Sequence, residues 1–74
     1  MAFNYSKLIG LIIEKFGTRR AFAAALGMTD AALSSRLNNQ VPFKATEIAK
    51  ICAPEILGIA DEAIPEYFFT LKVE

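Results

Sequence analysis

"ALGMTDAALSSRL", residues 25–37, decides how this chain folds. A helical run stops at Gly27, and Thr29 with Asp30 opens another within three residues. Glycine at a left-handed C′ position and threonine at an N-cap are stop and start signals with a mechanism behind each. Thr18 caps the run before, so Arg19 to Leu26 is one short helix with Phe22, Ala23 and Leu26 as its buried stripe. The next helix buries Leu33 and Leu37, four residues apart. Two short helices joined by a three-residue turn that begins with glycine predict a helix-turn-helix, the second helix crossing the first. Ala23 and Ala24 are small enough for that crossing, and Ala31, Ser34 and Ser35 give the second helix an outward face short enough to enter a DNA major groove.

Working outward, 74 residues predict one domain, near the lower size limit for a single unaided core. Cys52 is the only cysteine and there is no histidine, so neither a disulfide within the chain nor a structural zinc is expected. Cys52 itself is expected as a small core residue. The core must be hydrophobic and dense, which the 54% apolar content allows. Dimerisation would add buried area. "LIGLII" (8–13) is too short to span a membrane before Glu14 and Lys15, so no membrane association is expected. A lone thiol without a leader segment predicts a reducing, cytoplasmic setting.

The formal net charge is zero, yet the charges are segregated. Residues 15–45 carry Lys15, Arg19, Arg20, Arg36 and Lys44 against Asp30 alone, a net of +4. Residues 46–74 carry Lys50 and Lys72 against Glu47, Glu55, Asp61, Glu62, Glu66 and Glu74, a net of −4. The basic half surrounds the helix-turn-helix, and the acidic half would orient it toward a polyanion. No cofactor is expected. An enzyme is not expected either, since nothing supplies a nucleophile and base together.

The flanks complete the outline. Ser6 is expected to cap a first helix that buries Leu8, Ile9, Ile12, Ile13 and Phe16 and ends at Gly17. "NNQVP" (38–42) reads as a loop, followed by a helix from Ala45 or Thr46 to Cys52 with Ile48, Ile51 and Cys52 inward. Pro54 to Leu57 is expected to form a short turn closed by Gly58, and Asp61 to Ile64 one more. "EYFFTLKV" (66–73) is aromatic and β-branched, so residues 65–74 are expected to hold a strand or dimerisation segment, with "AFNY" (2–5) as a strand partner. Tyr67, Phe69, Leu71 and Val73 would form its apolar face, packed over the first helix or paired with another subunit.

"TRRAFAAALGMTDAALSSRLNNQ" (18–40) resembles the helix-turn-helix of phage repressor and Cro-type regulators, the XRE-like family, at Phe22, Ala23, Leu26, Gly27, Thr29, Leu33 and Leu37. A weaker likeness over residues 6–64, with "YSKLIGLIIEKFG", "VPF" and "EIAKI", is similar to small Cro-like proteins of Gram-positive prophages. The resemblance implies a mainly α, compact five-helix, lambda-repressor-like DNA-binding domain, spanning 1–74 with its helix-turn-helix at 18–38. It implies a prophage transcription regulator, a homodimer on double-stranded operator DNA, with helix 29–38 in the major groove. Thr29, Asp30, Ala31, Ser34, Ser35 and Asn38 would face bases, and Arg19, Arg20, Arg36, Asn39, Gln40 and Lys44 would hold phosphates.

The chain departs from the family where bases are read. Members often carry Gln, Arg or Asn along the recognition helix, whereas Asp30, Ala31, Ser34 and Ser35 discriminate poorly here and Asp30 repels phosphate. That thin set, with zero net charge, supports a second expectation from another class. The same fold would serve as an antirepressor or modulator that binds a partner repressor protein.

Overall fold

The computed structural model describes residues 2–72. Its helices are α1 (Ser6–Phe16), α2 (Arg19–Leu26), α3 (Asp30–Leu37), α4 (Ala45–Cys52) and α5 (Ile64–Phe68), with a 3-10 turn at Asp61–Ala63 leading into α5. Both cap signals in the central stretch operate as the residue types dictate. Thr18 Oγ1 accepts from the Ala21 N–H and Thr29 Oγ1 from the Ala32 N–H, each at 3.1 Å. At the end of α2 the Gly27 and Met28 N–H groups donate back to Ala24 and Ala23, a Schellman closure that needs the left-handed φ of 75° at Gly27.

The five helices share one core. Leu8 and Ile12 from α1, Phe22 from α2, Leu33 from α3, Ile51 from α4 and Phe68 from α5 are all fully buried in it. Tyr5, Leu57 and Ile59 extend the core into the connecting segments. Helix α1 packs on α2 and α5, and α2 packs on α3. Aromatic edges close the seams, Phe16 against Phe22 at 5.2 Å and Phe43 against Phe68 at 5.3 Å between ring centroids. Among the described residues no helix is long and apolar enough to cross a membrane.

Four local expectations change. Ser6 is inside α1 rather than capping it; Asn4 does that work, its Oδ1 accepting the Ser6 N–H at 2.9 Å in an Asx-type turn. Ile13 is 45% exposed, because Leu8 and Ile12 already fill the buried stripe of α1. At the α2 crossing Ala23 is buried but Ala24 faces solvent, so one alanine suffices. Cys52 and Ile48 on α4 are half-buried, with Ile51 alone fully inside.

The C-terminal segment differs most. Residues 66–68, expected as strand, belong to α5, with Pro65 in its first turn. Helical geometry puts Phe68 wholly in the core while Tyr67 covers it from the side, and this burial outweighs local β preference. Of the expected strand pairing one antiparallel bridge is present among the described residues, Phe3 with Leu71. Val73, assigned to the same apolar face, lies outside the described residues.

A second Schellman closure ends α3 and ties in the N-terminal segment. Asn39 and Gln40 N–H groups donate back to Arg36 and Ser35, and Asn39 takes the left-handed position with φ of 63°. Its side-chain amide then brackets Phe3, Oδ1 accepting the Phe3 N–H at 2.8 Å and Nδ2 donating to the Phe3 carbonyl at 3.0 Å. Asn39→Gly is expected to lower stability by about 1–2 kcal/mol, the worth of two hydrogen bonds. Asn39→Ala should cost about 1 kcal/mol more, because a Cβ without the amide is strained at positive φ. Urea unfolding of the two variants checks the order; equal losses would show that the left-handed backbone is not held as described.

Candidate functional site

The outward face of α3 is short. Asp30, Ala31 and Asn38 are exposed, while Ser34 and Ser35 are half-buried. The Ser35 hydroxyl donates to the Ala31 carbonyl at 3.1 Å, and Thr29 spends its oxygen on the cap. What this helix offers to solvent is therefore a carboxylate in the first turn, methyl groups, the partly covered Ser34 hydroxyl and one free carboxamide. Asp30 suits the helix dipole there.

The residues grouped as phosphate ligands divide sharply. Arg20, Gln40 and Lys44 are exposed and Arg19 is half-buried; none of the three cations has an acidic partner among the described residues. Arg36 is committed elsewhere. Its Nε and Nη2 donate to the two carboxylate oxygens of Glu47, both at 2.9 Å, and Nη1 donates to the Ala32 carbonyl at 2.9 Å. The pair is largely covered, 13% and 16% exposed. Asn39, also grouped with the phosphate ligands, has both amide atoms on Phe3. Arg36 so spends three of its five N–H groups, and its charge, on Glu47 and Ala32, and Asn39 spends its oxygen and one N–H on Phe3; both side chains carry structural contacts besides the phosphate role expected of them.

Glu47 is the residue that the sequence pattern did not single out. One oxygen also accepts the Lys44 N–H at 2.9 Å, closing the N-terminus of α4. Arg36, and after it the Lys44 backbone, hold the carboxyl below the ordinary glutamate range despite partial burial. One turn along α4, Lys50 Nζ donates to the Leu26 carbonyl at 2.8 Å and so caps the end of α2. The capping-box position of Glu47, three residues into a helix, was the available signal, but Lys44 at the N-cap hides the usual Ser or Thr pattern.

Two further features bear on chemistry. Burial, and secondarily Asp61, push the Cys52 thiol up, so it stays protonated and unreactive at neutral pH. Among the described residues no group of His, Cys, Asp or Glu gathers at metal-binding distance. Apart from Ile13 on α1, the large apolar side chains that stay open lie near the termini: a cavity of about 90 Å³ is lined by Phe3, Val41, Phe43 and Phe69 among others. Beside it, Phe69 and Leu71 are 50% and 49% exposed.

The fold and this surface define a small five-helix protein built around a braced helix-turn-helix. The chain belongs to the family described as DUF739, protein of unknown function, which matches residues 1–71. Among solved structures it is similar to the modulator of repression (MOR) of the temperate bacteriophage TP901-1 from Lactococcus lactis, determined in solution. The two are 40% identical with a TM-score of 0.81, and the match covers 100% of this chain and 97% of that one. No curated protein matches the chain.

The ion pair sets a pH dependence. Because the folded-state pKa of Glu47 lies below its unfolded value, the pair's contribution is complete at neutral pH and is lost as pH falls through the lowered folded value. Glu47→Gln is expected to cost about 2 kcal/mol at neutral pH, and the difference from wild type should shrink toward zero at an acid pH below that lowered value. Paired urea titrations at the two pH values test this; a loss independent of pH would mean that packing, not the charge pair, holds α3 to α4.

Proposed function

We propose that this chain is a phage-type modulator of repression that acts by binding a repressor protein. The observation that carries the reading is the end-to-end likeness to the TP901-1 modulator of repression, at an identity high enough to reach beyond fold. The surface supports it. With Arg36 and Asn39 turned inward and Ser35 bonded to its own helix, α3 keeps few groups that read base edges. Zero net charge leaves little of the general attraction to phosphate that sequence-independent DNA binding requires.

Direct operator binding by a dimer is the second reading. Arg19, Arg20 and Lys44 favour it, as cations without acidic partners grouped around the helix-turn-helix. Backbone N–H groups at the start of α2 would add to their pull on a phosphate.

One experiment separates the two. The chain is titrated into the purified repressor encoded in the same genome, and both proteins, alone and together, are run against operator duplexes at several salt concentrations. The modulator reading expects a repressor complex, a changed operator affinity of the repressor, and little DNA affinity of the chain alone. Salt-sensitive binding of the chain alone to a two-fold symmetric site, weakened by Arg19→Ala, with no repressor complex, would establish the second reading instead.

A further inference from the structure

The bridge between the termini has one closed edge and one open edge. The Asn4 N–H donates to the Thr70 carbonyl at 2.6 Å and the Lys72 N–H to the Ala2 carbonyl at 3.2 Å. These bonds flank Phe3 and Leu71 and make them a non-hydrogen-bonded antiparallel pair, so the N–H and C=O of both residues point away from the ladder. On the Phe3 side the Asn39 amide takes both groups, as a neighbouring strand would. On the Leu71 side neither group has a partner among the described residues. Such an edge is a template for another strand.

Its side chains are not those of a protected edge. Phe69 and Leu71 are half-exposed, and Phe69 meets the Phe3 ring edge-on at 5.7 Å between centroids. Val41, 39% exposed, lines the same cavity as Phe3 and Phe69. Lys72 follows Leu71 and Lys44 follows Phe43, which lines the same cavity; both are exposed and make no salt bridge among the described residues. An apolar strip with an open backbone edge and basic neighbours fits an extended apolar segment that carries carboxylates.

We propose that the outer edge of residues 70–72, with Phe69 and Leu71 beside it, binds an extended, apolar, acid-flanked segment of the repressor by strand addition. This rests on the reading that the chain binds a repressor, and it assigns the contact to the terminal ribbon instead of α3. Main-chain pairing at Leu71 supplies register, and the cavity between Val41 and Phe69 takes one apolar side chain of the added segment.

The chain is short enough for total chemical synthesis, so the edge can be blocked without altering a side chain. N-methylation of the Leu71 nitrogen removes the outward donor and leaves the Asn4 and Lys72 donors intact. Binding of the repressor from the same genome is measured for the wild type, the N-methyl-Leu71 chain, Leu71→Glu and Ala31→Glu. Both Leu71 changes are expected to weaken binding about tenfold or more, with Ala31→Glu within about twofold of wild type. Amide exchange gives a readout free of substitution: in the wild-type complex Leu71 should become protected, whereas Asn4 and Lys72 are protected already in the free chain. Normal binding by Leu71→Glu, or a Leu71 amide that exchanges as fast in the complex as alone, would overturn the assignment while leaving the modulator reading intact. A wild-type chain that forms no repressor complex would overturn both.

Discussion

The carboxylate of Glu47 is the point on which the arrangement of the helix-turn-helix depends. Helix α3 is eight residues long and too short to persist by its own hydrogen bonds, so its direction must be set by what it touches. Leu33 and Leu37 anchor its inner face in the core, and the forked pair between Arg36 and Glu47 fixes its rotation against α4. The same carboxylate closes the start of α4, and Lys50 one turn later closes the end of α2. Helix α4 thereby holds both members of the motif by polar contacts, while among the described residues the core contains no buried polar or charged residue. A charge pair covered to this degree contributes little net stability over an apolar replacement, but breaking one side of it is costly. Its effect is to select one orientation of α3.

Asn39 carries that orientation to the chain ends. Helix α2 closes on glycine, which has the conformational freedom the left-handed position demands. Helix α3 closes in the same way on asparagine, which tolerates the position less easily but brings an amide. That amide fixes Phe3, Phe3 pairs with Leu71, and Lys7 holds Glu66 and lies over the Tyr67 ring at 5.1 Å. The end of α3, the N-terminal segment and α5 are thus joined by polar contacts over an aromatic cluster that reaches Tyr5, Phe43 and Phe68.

This division explains which parts of the structure were legible in the sequence. The boundaries of α2 and α3 follow from Thr18, Gly27 and Thr29, each acting within four residues of itself, and the fold class follows from them. The inward contacts of Arg36 and Asn39 were not legible because their partners, Glu47 and Phe3, lie 11 and 36 residues away. A cation on a presumed recognition helix looks alike in sequence whether it faces phosphate or a carboxylate from the next helix. The tail was misread for a related reason. Its β-branched and aromatic composition is real, but Phe68 reaches the core only if residues 64–68 turn as a helix. Asn4 was overlooked because a serine stood two places on, where a cap is ordinarily sought.

The placement of side chains bears on how such a fold changes its partner. A helix-turn-helix that reads DNA needs long polar side chains free on its second helix and spare cations around it. In this chain the longest polar side chain of α3, Arg36, has been drawn inward, where it braces the motif. The remaining outward groups, Asn38 apart, are small and offer few contacts to base edges. Apolar surface, which provides most of the driving force for protein–protein association, is exposed at Val41, Phe69 and Leu71 around the terminal ribbon, with Ile13 on α1 standing apart from them. Asn39 satisfies the inner edge of that ribbon and so leaves the outer edge as the place where unpaired main-chain groups and exposed apolar side chains coincide. The inward turn of Arg36 and of Asn39 thus has two effects, taking polar groups away from α3 and building the ribbon's inner wall. Both are in keeping with the protein partner proposed above.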